Sequence, residues 1–459
     1  MRDWIERYRI EILLALLVVV IAGPVVHQYR AQQASRYVFT AAIWDDRSIV
    51  LDAYADADPP VLGIDRAVRD GRTYSDKAPL QPVLAVPVYA AYRAVGGSPA
   101  IEARYDEHLG LWWVTLWMST LPAALLAVAM YRFARAFRAE ASLQATVALF
   151  FGSMLLPFSM LLFGHILCAL FVFGSFALLA GERRSTVRLL AAGVLAGLAV
   201  ASEYTASIGI LILAAYAVWR EHRRAGWFMA GGIPAAVGLA WYHLVAFGSP
   251  FAHPYRYSAF DEVTEEARGF FEIFSSVHLD HLIALIVSGR GFLFASPVVI
   301  IGLIGLVMMA RANQGEHQSV AIVSLLMFVS YLMIPVFWEN PWGGDSPGPR
   351  YMVPAIPFLA TGVAFAWYRL GMWAKAAAIY SIIVMGVASF TDPLLSDEAA
   401  VGLGSWLKLA SDGDIVPTIF TIALGPVGWL IHFSLVAGVG WALYRASRER
   451  DPERQVALT

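Results

Sequence analysis

Carboxylates and cations gather in one stretch of this chain. From Arg36 to Pro79 it reads RYVFTAAIWDDRSIVLDAYADADPPVLGIDRAVRDGRTYSDKAP. Asp45, Asp46, Asp52, Asp56, Asp58, Asp65, Asp70 and Asp76 lie among Arg36, Arg47, Arg66, Arg69, Arg72 and Lys77. A carboxylate within reach of an acceptor hydroxyl can take its proton as a general base. A lysine can neutralise a phosphate as a point charge, and an arginine can grip one through two parallel hydrogen bonds. The plainer reading is a solvated loop, because loops are polar by default. YSDKAP, Tyr74 to Pro79, is a second concentration within the stretch, and as a lysine next to an aspartate it also fits a surface turn.

Isolated polar groups continue the pattern downstream. His165 sits in LLFGHIL and Glu203 in AVASEYTAS, both inside apolar surroundings where an ionisable group is costly. Each has a structural reading: a histidine hydrogen-bonded at an interface turn, and a carboxylate pairing with an arginine. Arg290 in SGRGF and Arg350 beside Tyr351 in GPRY add two more cations. Convergence of Lys77, Arg290 and Arg350 on one phosphate would exceed what solvation explains. Lys77 and Arg350 are expected to face water.

The elements that must hold these groups are membrane helices. Of the 459 residues 59% are hydrophobic and 15% charged, against about 25% charged in soluble domains; the mean hydropathy is +0.61. The net charge of -2 offers no basic field for nucleic acid. Cys168 is the single cysteine, so neither an internal disulfide nor a cysteine zinc cluster exists. No organic cofactor and no metal ligand set are expected, and a need for a divalent cation stays open. A span needs roughly 20 apolar residues, and twelve stretches qualify: about 10–28, 110–131, 142–160, 164–181, 188–204, 205–219, 226–247, 293–310, 318–337, 352–368, 374–391 and 416–444. The first, preceded by Arg2, Arg7 and Arg9, reads as a retained signal anchor.

Short basic loops set the orientation. Arg132, Arg135 and Arg138, then Arg183, Arg184 and Arg188, then Arg220, Arg223 and Arg224, and finally Arg445, Arg448, Arg450 and Arg454 fall on one side, with the N-terminal arginines. The positive-inside rule makes that side cytoplasmic, with both termini inside. Outside then lie 29–109, 248–292, the turn-rich WENPWGGDSPGPRY from Trp338 to Tyr351, and 392–415. Pro82 to Gly97 is expected to lie along the interface as an amphipathic segment, with Tyr89, Tyr92 and Arg93 at the headgroups. The fold class expected is an all-α polytopic membrane protein in one unit, 1–459. It has about twelve spans, an external catalytic loop at 29–109 and a second external loop at 248–292.

One helix, a long acidic outer loop with an Arg-Tyr pair, then an aromatic-x-x-Lys-x-Pro run resemble the C-type membrane glycosyltransferases, which include the protein O-mannosyltransferases and the aminoarabinose transferase of lipid A. YSDKAP, the Phe163-Gly164-His165 turn, the Glu203-Tyr204 pair, AFGSPF, SGRGF and GPRYMVPAIPFLA are similar to bacterial members of that group, in the same order along nearly the whole chain. The resemblance implies a polyprenyl-phosphate sugar donor entering from the bilayer and a glycan, lipid or protein acceptor. It also implies inversion by single displacement, in a cell (bacterial inner) membrane protein. An acidic residue soon after the first helix would be the base, and Lys77, Arg350, Arg290 and Arg36 would hold the donor phosphate. His165, Glu203, Tyr74, Asp76 and Tyr351 would line the cavity. One departure stands out. Gln33, Ala34 and Ser35 occupy the place before Arg36-Tyr37 where the family often has its acid. Asp65 is then the favoured base, with Asp52 next and Asp76 as a third option. Competing readings are a transporter or flippase of lipid-linked sugars, and a non-catalytic assembly protein.

Overall fold

The computed structural model describes residues 2–57, 60–102, 109–181, 185–259, 277–312, 315–338, 340–396 and 402–449. Asp58, Arg183, Arg184, Arg450, Arg454 and much of the second external loop lie outside them.

The first apolar helix, Arg9–Ala22, is shorter than expected. It stops at Gly23-Pro24, where the proline has no N–H to continue the helical ladder. The acidic stretch that follows is folded rather than a bare loop. Helix Ala31–Ala41 runs into a π-turn, Ala42–Asp46, closed by Arg47 in the left-handed region (φ 54°). A one-turn helix, Asp52–Ala55, precedes a two-stranded antiparallel hairpin, β1 (Ala67–Arg69) and β2 (Arg72–Tyr74), with Ala67 opposite Tyr74. Asp70 (φ 51°) and Gly71 (φ 73°) make its two-residue turn, the Asp-Gly signal of a tight hairpin. This small sheet corrects the all-α expectation. Helix Leu80–Ala94 then carries the amphipathic segment, with Pro87 inside it.

The bundle beyond is predominantly helical and apolar, as in a multi-pass membrane protein. Among the described residues six helices are long and apolar enough to cross a membrane, or seven if Leu279–Ala295 and Val298–Arg311, bent by 97°, form one span. Ala139–Phe151, Gly164–Ala180 and Thr186–Ser202 are apolar but shorter. The expected twelve is therefore not reached by length and composition. Breaks shorten several helices, at Gly152 among them. One long stretch, Ala206–Phe247, folds back at His222 (φ 51°). Tyr204, just before it, is hydrogen-bonded to His243 near its far end, 3.0 Å away. The core centres on Gly164–Ala180, where Phe173 and Phe176 pack on Phe133 and Phe358. Thr186–Ser202 lies against Gly226–Phe247 through Gly193 and Gly231, where a Cβ would run into the facing backbone.

Helix direction separates two ends. Arg9 pairs with Glu449, which joins the two terminal helices. At the same end Arg220 reaches Glu316 and the Gly181 carbonyl, and Tyr368 donates to the Glu140 carbonyl. His165 begins Gly164–Ala180 and Glu203 caps the end of Thr186–Ser202, so both lie at the opposite end.

Candidate functional site

At that second end a cluster of charges is built from five segments. Helix Ala31–Ala41 presents Arg36, whose side chain is only 2% exposed. Its Nη2 donates to Glu203 Oε1 at 2.7 Å, and its Nη1 donates to the carbonyl and side-chain oxygens of Gln32. Glu203 has extended backbone where one helix ends and the next begins. Its carboxylate fits beside the start of Gly164–Ala180 because residue 164 lacks a side chain; a Cβ there would meet Oε1 at 2.5 Å. His165 Nδ1 lies 3.3 Å from the same oxygen.

The YSDKAP turn brings in the second half. Lys77 Nζ donates to Asp65 Oδ1 at 2.7 Å and to Asp76 Oδ2 at 2.9 Å. Lys77 and Asp76 are buried at 5% and 3% exposure. The Asp65 side chain keeps 20% exposure. Burial works against the Lys77 ammonium, but Asp65 and Asp76 outweigh it and hold its pKa above the ordinary value. Burial also pushes the Asp76 carboxyl up, by more than Lys77 brings it down. Gln32 Nε2 donates to the same Asp65 Oδ1 at 3.2 Å. Arg36 thus holds Gln32, and Gln32 with Lys77 holds Asp65, with both bonds on Oδ1 and neither on Oδ2.

Arg350 completes the group. It opens the segment Arg350–Leu359, is 7% exposed, and faces Gly343 and Gly344, both at positive φ. A Cβ on Gly343 would meet its Nε at 2.9 Å, so the glycine lets the loop close over the guanidinium. Its charge is felt by Glu203 and His165, and the charge of Asp65 is felt by it. Arg36 and Lys77 are ion-paired, whereas Arg350 has no carboxylate within pairing distance among the described residues. Arg36 Nε, Asp76 Oδ1, both His165 nitrogens and Arg350 Nε are buried without a hydrogen-bond partner among the described residues. Buried polar atoms are normally satisfied, so this concentration marks the cluster.

Of the candidates read from the sequence, the fold assembles Asp65, Asp76, Lys77, Arg36, His165, Glu203, Arg350 and Tyr351. Tyr351 lies 6.4 Å from His165, ring to ring. Three candidates fall elsewhere. Asp52 accepts from the Thr73 backbone N–H at 2.6 Å and ties its helix to the hairpin. Tyr74 turns into an apolar group, 5.7 Å from the Phe247 ring. Arg290 is clamped by the carbonyls of Ser346, Leu395 and Ser396 and lies over Trp342. Water-facing positions for Lys77 and Arg350 are corrected, because both are buried. Gln33 stands in the place of the missing acid and serves the fold there, accepting from the Leu162 N–H and donating to the Gln28 carbonyl. Sequence reasoning missed Gln32 and Tyr255, whose ring lies 5.8 Å from Lys77 Nζ. A polar residue one turn before Arg36 was the available signal for Gln32. An open depression of about 710 Å³ lies at the basic end, between Arg7, Tyr8, Glu11, Arg132 and Arg135.

Comparison with solved structures gives the same architecture. ArnT from Cupriavidus metallidurans, solved with undecaprenyl phosphate, matches at a TM-score of 0.55 and 15% identity, over 97% of this chain and 76% of that one. The apo oligosaccharyltransferase of Archaeoglobus fulgidus matches at 0.51 and 12%, over 89% and 60%. At these identities the likeness is one of fold. No curated protein sequence matches. The sequence model of Glycosyltransferase family 87 matches residues 106–335, half of the chain. Together with the apolar bundle and its buried charge cluster, that match makes the chain a membrane glycosyltransferase that belongs to family 87.

Proposed function

We propose that the protein moves a sugar from a polyprenyl-phosphate donor to an acceptor hydroxyl at the external membrane face, inverting the anomeric centre in one displacement. Asp65 is the general base: its Oδ1 is held by Lys77 and Gln32, and its side chain keeps 20% exposure. Arg350 is the cation for the leaving phosphate, where charge develops as the sugar–phosphate bond breaks. Lys77 acts with it by holding Asp65 in place. Arg36, Glu203 and His165 brace the floor of the site, with Glu203 as the alternative base.

The observation that carries this reading is an oriented carboxylate in the same buried cluster as an arginine that has no carboxylate partner among the described residues, beside buried polar atoms likewise without a partner among them. The undecaprenyl phosphate in the similarly folded ArnT supports the choice of donor lipid. The test is incubation of the purified protein with a panel of radiolabelled polyprenyl-phosphate sugars and membrane acceptors. Transfer from one donor, abolished in Asp65→Asn and kept in Asp52→Asn, supports the assignment. Unchanged transfer in Asp65→Asn moves the base to Glu203, and lack of transfer from every donor rejects the donor class.

A further inference from the structure

A second constellation lies outside the charge cluster, where the chain enters helix Leu279–Val287. His278, Asp280 and His281 each bring one ligand atom to within 4.8 Å of the others. We propose that these three side chains bind one divalent transition-metal ion of the zinc class.

His281 is held with one ring nitrogen available for a metal. This ring is buried, and its Nδ1 lies 2.8 Å from the Pro335 carbonyl oxygen. A carbonyl only accepts, so Nδ1 carries the proton and Nε2 keeps its lone pair. Metal-binding histidines are oriented in this way, one nitrogen donating to a backbone carbonyl or carboxylate while the other ligates. His278 stacks on His281 with ring centroids 4.7 Å apart and planes 15° from parallel. Its own backbone N–H donates to the Val336 carbonyl at 2.7 Å. Both histidines are thus referenced to the same neighbouring turn, Ile334–Phe337. Asp280 is exposed and adds a negative charge beside the two imidazoles.

The donor set selects the metal. Two imidazole nitrogens and one carboxylate oxygen suit zinc and its neighbours, whereas calcium and magnesium prefer oxygen alone. Zinc bonds of roughly 2.0–2.2 Å in a tetrahedron put ligand atoms about 3.3 Å apart. Side-chain rotation covers the difference from 4.8 Å. The fourth position takes water. Two residues past Val336, the Trp338 ring lies 5.8 Å from Tyr255 and 6.2 Å from Tyr351, the aromatic wall beside Lys77 and Arg350. A metal at His278–His281 would stiffen the turn that carries this wall. The inference does not depend on which sugar is transferred or whether transfer occurs.

The experiment uses the full-length protein in detergent, stripped with chelator and titrated with zinc against a chromophoric competitor, with cobalt as a spectroscopic probe. The expected result is one tight zinc per chain, a tetrahedral cobalt spectrum, and higher thermal stability with zinc bound. His281→Gln keeps a donor for the Pro335 carbonyl but removes the imidazole, and should weaken zinc at least about tenfold. His278→Gln and Asp280→Asn should do likewise and decide the matter if His281→Gln does not fold. His317→Ala, which changes a residue packed against Phe137 elsewhere, should leave binding intact. Wild-type protein without stoichiometric zinc, or equal binding in all three site variants, overturns the proposal.

Discussion

Replacing Lys77 by methionine probes the buried pairing most directly. The ammonium lies 2.7 Å from Asp65 and 2.9 Å from Asp76, with side-chain exposures of 5%, 20% and 4% respectively. Methionine fills most of the volume, so the loss is electrostatic. Two charge-assisted bonds of about 1.5–3 kcal/mol each disappear, and stranding a buried charge costs about 3–5 kcal/mol in measured cases. Asp76 limits the damage by taking up a proton, because burial already raises its pKa and only Lys77 and Arg36 oppose that. We therefore expect a loss of about 3 kcal/mol at neutral pH. A carboxyl whose folded-state pKa lies above its unfolded value destabilises the fold above the unfolded pKa, and this loss is recovered as pH falls through the folded value. The variant should accordingly regain stability on mild acidification, and Lys77→Met/Asp76→Asn should be more stable than Lys77→Met alone at neutral pH. Thermal unfolding in detergent of the wild type, both single variants and the double variant, at neutral and mildly acidic pH, supplies the measurement. A Lys77→Met protein as stable as wild type but about tenfold weaker in donor use would refute the reasoning. Lys77 would then be a cation held for the donor rather than for the two aspartates.

Three further outcomes are expected. Asp65→Asn should lower turnover by about 10²–10⁴ with donor binding nearly unchanged, while Asp52→Asn should leave turnover within a few-fold and only loosen the hairpin that Asp52 holds; initial rates with saturating donor separate the two. Arg350→Met should weaken donor use about ten- to a hundredfold, whereas Arg290→Met should destabilise the loops its guanidinium joins; a donor titration beside a melting curve distinguishes them. Cysteines placed at exposed Arg72 and Arg223 should label oppositely with an impermeant thiol reagent in intact cells, Arg72 from outside, with native Cys168 buried and silent; the reverse pattern would invert the orientation.

Composition alone determined that this chain is a helical membrane protein, because only apolar helices satisfy their backbone within lipid. The order of short motifs was enough to mark the resemblance to glycosyltransferases, since each motif is local. The charged end was legible as well. Basic loops recur at one end of successive helices, which leaves His165, Glu203 and the acidic stretch at the other. What the residue string did not determine is which charges meet. Asp65 and Asp52 look equivalent along the chain, yet one is held by Lys77 and Gln32 and the other by the backbone of Thr73. Lys77, Arg290, Arg36 and Arg350 all read as cations for a phosphate, yet tertiary contacts give three of them partners within the protein. Helix lengths were not legible either, where breaks at Gly23-Pro24 and Gly152 cut apolar runs. Hydropathy reports the solvent of each residue, which is local. Pairing depends on distances between groups far apart in the chain, 167 residues for Arg36 and Glu203, and only packing of the bundle sets those.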